Sequence, residues 1–141
     1  MFQQAMNPLS ISQDRLLVAF GGGSGDKLLG FGQIRPLEGV YHELASLYVS
    51  PRYRHEGIGG ALVQQLLLRH DIRHEQDEEP SQVCLMTLLS TTGFYEPYGF
   101  EVMDEDEMES SMPSSFQFEY AAGSAVSSLL GNGLVGMIRR K

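Results

Sequence analysis

Residues 43–68, ELASLYVSPRYRHEGIGGALVQQLLL, join an apolar strand to an amphipathic helix through a Pro-Arg-Tyr-Arg turn and a glycine-rich helix start. Such a junction aims the first, unpaired N–H groups of the helix past the strand end, and those groups carry partial positive charge. Gly57, Gly59 and Gly60 keep side chains away from whatever approaches them. The segment reads as an anion cradle, and a pyrophosphate is the occupant that fits it.

The rest of the chain narrows the setting. With 141 residues, 42% hydrophobic and 20% charged, it suits one globular domain spanning residues 1–141. No apolar run reaches the roughly 20 residues of a membrane span, and the first residues lack the basic-then-apolar order of a signal peptide. A soluble, cytoplasmic protein with no membrane partner is expected. The single cysteine, Cys84, lies in the apolar run VCLMTLL and reads as a buried strand thiol. Acidic residues outnumber basic ones, giving a formal charge of −8, concentrated in EQDEE (75–79) and DEDEME (104–109). That balance repels phosphate backbones, so nucleic acid is excluded as a partner, and both runs read as solvated loops.

Periodicity orders the chain. RLLVAF (15–20) and LLGFGQI (28–34) read as two antiparallel strands around the turn-forming GGGSGDK. That turn is not a phosphate loop, because Gly25 precedes Asp26 and no Gly-Lys-Ser/Thr ending follows. Residues 40–49 form a third strand. Beyond Pro51, Ile58, Leu62 and Leu66, joined by Ala61, mark the core-facing side of a helix. His70 and His74 stand four apart at its basic end and read as a solvated terminus, with no metal expected. A buried strand at VCLMTLL follows, then a short helix or turn at STTGFYEPYGF and a strand breaking into a loop at EVMDEDEMES. Pro113, Ser114 and Gln117 open a last helix on which Phe118, Ala122, Ala125, Val126 and Leu129 share one face. Gly131 and Gly133 stop it before a closing strand, LVGMI.

Two motifs carry a family resemblance. Arg54-His55-Glu56-Gly57-Ile58-Gly59, between Val49-Ser50-Pro51-Arg52-Tyr53 and Gly60-Ala61-Leu62, resembles the Gln/Arg-x-x-Gly-x-Gly/Ala acyl-CoA motif of the GNAT superfamily of N-acyltransferases. Phe94-Tyr95-Glu96-Pro97-Tyr98-Gly99-Phe100 resembles its second signature, Phe-Tyr-x-x-x-Gly-Phe, in the expected order and after an intervening strand. The resemblance covers residues 15–100. It implies an α/β fold with a mixed, splayed central sheet flanked by helices, and acetyl-CoA as co-substrate.

On that resemblance the backbone of Leu47, Tyr48 and Val49 would pair with the pantetheine amides, while Arg54, His55, Glu56, Gly57, Ile58, Gly59 and Gly60 would bind the pyrophosphate. Glu43 would be the base that takes a proton from the attacking amine, and strand alternation sends its neighbour His42 to the other face. A backbone N–H near Tyr48 would stabilise the oxyanion. Tyr95 would act as general acid to the departing CoA thiolate, or at least hydrogen-bond its sulfur, with Tyr98 as runner-up. The implied activity is direct transfer of an acetyl group to a primary amine, with a weak preference for cationic acceptors because of the acids at 104–109.

The chain departs from the family in two respects. Members begin with a strand and two helices, whereas about fourteen residues precede Arg15, so that element is expected to be truncated and FQQAMN a remnant. The strand at 15–20 would then present an open edge, from which a homodimer is expected. Leu88 and Thr91 stand where many members carry Asn and Ala, a departure that bears on a side-chain contact to CoA and leaves the backbone contacts untouched. Two further readings follow from the short start: a non-catalytic acyl-CoA-binding or interaction module, or a fragment of a longer acyltransferase.

Overall fold

The computed structural model describes residues 15–21, 27–129 and 133–140. Six strands are hydrogen-bonded in the order β1-β2-β3-β4-β6-β5: β1 Leu16–Gly21, β2 Lys27–Pro36, β3 Tyr41–Val49, β4 Gln82–Leu88, β5 Phe100–Val102 and β6 Leu134–Arg139. The helices are α1 Ile58–His74, α2 Thr92–Tyr95, α3 Glu105–Ser111 and α4 Ser114–Leu129. Strand β3 runs parallel to β4, whereas β1–β2, β4–β6 and β5–β6 are antiparallel, so the sheet is mixed, as expected for the α/β class. The expected truncation of the family's first elements and the GGGSGDK turn fall mainly on residues 1–14 and 22–26, outside the described residues. Among the described residues no helix is long and apolar enough to cross a membrane.

The chain divides into two compact units, and β3 passes from one to the other within its own length. The first comprises Met1–Arg35 and Leu44–Asp77. Here β1 and β2 pair in register from Leu16↔Gln33 to Gly21↔Lys27, with a bulge between Ala19 and Phe20. Leu62, Val63, Leu66 and Leu67 of α1 are buried, as are Leu44, Leu47 and Val49 of β3. Leu62 and Leu66 thus sit where the periodicity puts them, but Ala61 is exposed and Ile58 half-buried: the buried stripe runs along 59, 62, 63, 66, 67 and 70. His70, expected in solvent, is only 6% exposed, and its ring packs 4.4 Å from that of His74, whose Nδ1 lies 2.7 Å from Asp77. The buried stripe of α1 thus extends to His70, which a charge-rich terminus does not announce.

Two strand glycines set how closely this unit packs. A Cβ on Gly30 would lie 2.5 Å from the Tyr48 carbonyl oxygen and 3.2 Å from the Val49 Cα, while one on Gly32 would lie 3.0 Å from both Leu47 and Leu66 methyls. Because the obstacle at Gly30 is backbone, it cannot rotate away. Gly30→Ala is expected to cost about 1–3 kcal/mol in urea unfolding and to shift β3 at Tyr48; an unchanged unfolding midpoint would refute the close approach.

The second unit comprises Pro36–Glu43 and Glu78–Lys141. Tyr41, His42 and Glu43 pair with Gln82, Val83 and Cys84, and β4 continues into antiparallel pairing with β6 from Cys84↔Ile138 to Leu88↔Leu134. Its core gathers Cys84, Met103, Met108, Met112, Phe116 and Ile138. Cys84 is buried as expected, its Sγ donating to the His42 carbonyl at 3.4 Å.

The acidic run at 104–109 is a helix rather than a loop. Asp104 Oδ1 accepts from the Glu107 N–H at 2.7 Å, Glu105, Asp106 and Glu107 occupy the first turn, where the helix dipole favours acids, and Met108 is buried. Asp104 with Glu107 three residues on is a capping pattern legible in the sequence.

Helix α4 is anchored at its start by a residue far away in sequence. The Glu38 carboxylate, in the β2–β3 turn, accepts from Ser115 Oγ at 2.5 Å, from Ser115 N–H at 3.3 Å and from Ser114 Oγ at 3.5 Å. The Ser115 hydroxyl above all holds the Glu38 carboxyl below its ordinary 4.5. A depressed carboxylate adds stability above its unfolded pKa and loses it as pH falls through the folded value. Glu38→Gln should therefore lower the melting temperature at pH 7, and the gap to wild type should close as pH drops below 4.5. A gap independent of pH would refute the role of the charge.

The shared face of Phe118, Ala122, Ala125, Val126 and Leu129 points outward. These residues are exposed, whereas Phe116 and Ser127 on the opposite side are buried.

Candidate functional site

The strand–turn–helix element lies wholly in the first unit and has the expected form. Leu47 and Val49 are buried, and the Tyr48 ring lies 5.3 Å from Phe31 at a 31° tilt. Ser46, just before them, is buried with φ +57, a left-handed backbone that breaks strand regularity ahead of Leu47. Pro51–Tyr53 forms a 3-10 turn, the Tyr53 N–H donating to Ser50 O at 2.9 Å.

Arg54 then turns back: its Nε donates to the Val49 carbonyl at 3.0 Å. This bond ties the turn to the strand end and uses one edge of the guanidinium. His55 has φ +68 and Gly57 φ +84, so the chain reverses through two left-handed residues before α1. A Cβ on Gly57 would meet nothing within 4 Å, so glycine is favoured there by backbone conformation alone.

Gly57 is the N-cap of α1, and no side chain caps the helix; the first backbone bond is Ala61 N–H to Gly57 O at 3.0 Å. The N–H groups of Ile58, Gly59 and Gly60 precede that bond in the first turn. His55 and Glu56 are exposed, while Gly59 is buried in the stripe α1 turns inward. A helix start with positive partial charge, no capping carboxylate or hydroxyl and two glycines in its first turn can accept an anionic ligand in place of a cap.

Glu43 and Tyr95 belong to the second unit. Glu43 closes the parallel ladder opposite Cys84, is 4% exposed and interacts with a neighbouring group. Its strand neighbour His42 is half-buried, with Nδ1 3.2 Å from Ser81 Oγ.

Tyr95 ends α2 in a chain of aromatic contacts. Its ring meets Phe94 edge-on at 4.8 Å and Phe100 at 6.1 Å, and Phe94 also lies 6.2 Å from Tyr98. Tyr98 is half-buried, whereas Tyr95 is 9% exposed. Burial pushes the Tyr95 phenol up to about 12. The second signature thus forms a compact turn: α2, a 3-10 turn at Glu96–Tyr98, and Gly99 at φ +92 leading into Phe100.

At Leu88 and Thr91, where the sequence departs from the family, hydroxyls hold the end of β4. Thr91 Oγ1 donates to Leu88 O at 2.9 Å, so the 2.5 Å contact with Thr87 Oγ1 is one in which Thr87 donates. Gly30 and Gly32 are the site-shaping residues that sequence reasoning missed. Nothing local distinguishes a strand glycine under another strand's carbonyl from a loose one.

The acetyltransferase (GNAT) domain model matches residues 12–102, more than half of the chain and both sequence signatures. No curated protein matches the chain. Among solved structures it is similar to N-acetylglutamate synthase from Neisseria gonorrhoeae complexed with coenzyme A and N-acetyl-glutamate, at 23% identity and TM-score 0.55, over 81% of this chain and 23% of that one. It is also similar to Rv2747 from Mycobacterium tuberculosis in complex with CoA and NLQ, at 23% identity and TM-score 0.62, over 90% and 76% of the two chains. An acetyltransferase of the GNAT family from Staphylococcus aureus Mu50 matches at 22% identity and TM-score 0.54, over 72% and 59%. These likenesses concern the fold, and the chain spans less than a quarter of the gonococcal enzyme's length.

Proposed function

Since the chain belongs to the acetyltransferase (GNAT) domain family, we propose that it moves an acetyl group from acetyl-CoA directly to a primary amine. The observation that carries this reading is the start of α1, uncapped by any side chain and reached through left-handed His55 and Gly57. The pyrophosphate supplies the missing cap, with residues 54–60 around it, and the pantetheine arm pairs with the backbone of Leu47, Tyr48 and Val49. The CoA held by the Neisseria and Mycobacterium relatives supports this choice of ligand. Because the family model runs through both compact units, residues 1–141 are read as one acetyltransferase domain.

The chemistry needs an amine without its proton, since an alkylammonium of pKa about 10.4 has no lone pair. Glu43 takes that proton, directly or through water, as nitrogen attacks the thioester carbon. The C–S bond then breaks, and the backbone near Tyr48 steadies the oxyanion in between. Of the two roles the signature implies for Tyr95, its burial favours the hydrogen bond over proton transfer. A phenol at about 12 does not yield its proton to a thiolate whose conjugate acid lies near 8.5, but it remains a hydrogen-bond donor to the departing sulfur.

The acids of α3 support a cationic acceptor only weakly. Glu107 is bound to Arg140 at 2.7 Å and Asp104 is used as a cap, which leaves Glu105, Asp106 and Glu109 facing solvent.

The test is thiol release from acetyl-CoA on addition of primary amines, followed with a chromogenic disulfide and by mass of the acetylated product. Release that requires an amine supports transfer; CoA binding without release for any amine class would replace this reading with a non-catalytic acyl-CoA-binding module.

A further inference from the structure

The outward face of α4 carries the two most exposed large apolar side chains among the described residues, Leu129 at 87% and Phe118 at 76%, with Val126 at 59% between them. Ala121, Ala122 and Ala125 fill the same face and are exposed. At 100° per residue these six fall within an arc of about 140°, opposite the buried Phe116 and Ser127. No charged residue lies in that arc, although the chain carries a formal charge of −8; Glu119 stands beside it.

The stripe is symmetric about the point between Gly123 and Ser124. Phe118 and Leu129 are equally far from it, as are Ala121 and Val126, and Ala122 and Ala125. We propose that this face of α4 binds the same face of a second copy of the chain, antiparallel, about a two-fold axis through that midpoint.

Three properties favour a second copy. An isologous contact requires a patch complementary to its own reverse. Here each large end residue meets the other large end residue of the second copy, and alanine meets alanine in the middle, where small side chains let helices approach to about 8 Å. Antiparallel helices set the positive start of each beside the negative end of the other. Two strongly acidic chains also repel least through a surface without charge. The contact is small: two such helices bury on the order of 800 Å² in total, below the roughly 1,600 Å² of a standard stable interface. The dimer is therefore a reversible, concentration-dependent one, and it is distinct from pairing through the edge of β1.

Sedimentation equilibrium over a concentration series tests it. Wild type is expected to rise from the mass of one chain toward two. Ala122→Glu, a substitution at an exposed site by another good helix former, should hold the mass at one chain with an unchanged circular dichroism spectrum. Adding Ala125→Lys to it places an ammonium of one copy opposite the carboxylate of the other and should restore the dimer. A wild type that stays monomeric throughout, a dimer indifferent to Ala122→Glu, or a double variant that remains monomeric would each overturn the proposal. A monomeric wild type that binds zwitterionic phospholipid vesicles would also overturn it, and give the face to a lipid surface instead.

Discussion

Gly59→Glu is expected to abolish measurable acetyl-CoA binding and, because Gly59 lies in the buried stripe of α1, to lower the melting temperature as well. Residue 59 lies in the first turn of α1, two positions after the left-handed N-cap Gly57, among the N–H groups that precede the first intrahelical bond. A carboxylate there does two things. It crowds the packing of the helix start, and it opposes the proposed pyrophosphate at close range with about 4 kcal/mol per charge pair at an effective dielectric constant near 20. The dissociation constant should rise about a thousandfold or more in calorimetric titration. Gly59 is buried, so the variant's melting curve belongs beside the titration, and Gly59→Ala separates volume from charge. If Gly59→Ala binds like wild type and a folded Gly59→Glu does not, the anion cradle stands. Full binding by a folded Gly59→Glu would remove the cradle from residues 54–60.

Tyr95→Phe is expected to lower turnover about ten- to a hundredfold with little change in acetyl-CoA affinity. A hydrogen bond to a charged partner is worth about 1.5–3 kcal/mol, and the bond proposed for Tyr95 would reach full strength only as charge builds on the sulfur. The surroundings of Tyr95, Phe94 and Phe100 at 4.8 and 6.1 Å, tolerate the substitution sterically. Because burial raises the phenol from 10.0 to about 12, Tyr95 contributes no basic limb to the rate profile below pH 10. The neutral buried phenol stabilises the fold fully below pH 10, and this contribution is lost as pH rises toward 12. Glu43→Gln should cost about a hundredfold or more if its carboxylate is the base. If both variants turn over like wild type, the chemistry lies elsewhere; if wild type shows no turnover, the non-catalytic reading replaces it.

Much of this was legible in the sequence because it is encoded locally. The strand-to-helix turn at 49–60 depends on Pro51, two residues of left-handed backbone and glycines near the helix start, all within a dozen positions. The signature at 94–100 likewise builds its own compact turn, closed by Gly99 at φ +92. The acidic run at 104–109 was locally encoded too, through Asp104 capping Glu107, but its charge suggested a solvated loop. Charge density identifies exposure, and an exposed helix start favours the same residues.

Other features have no local signature. The shared face of Phe118, Ala122, Ala125, Val126 and Leu129 is as apolar as any buried stripe, yet α4 packs through Phe116 and Ser127 on its other side. Periodicity reports that a helix has two faces, not which neighbour claims one of them. His70 is buried although it ends a charged helix. Gly30 matters because the Tyr48 carbonyl lies where its Cβ would be, and Glu38 because Ser115 reaches it across a separation of 77 residues. The sequence by itself determined most of the elements, the strand-to-helix turn and the family, since torsional preference, capping and helix polarity act over a few residues. Only the tertiary structure decided which apolar face is buried, which tyrosine is withdrawn from water and which glycine lies beneath a strand, because burial and close approach arise from residues distant in the chain.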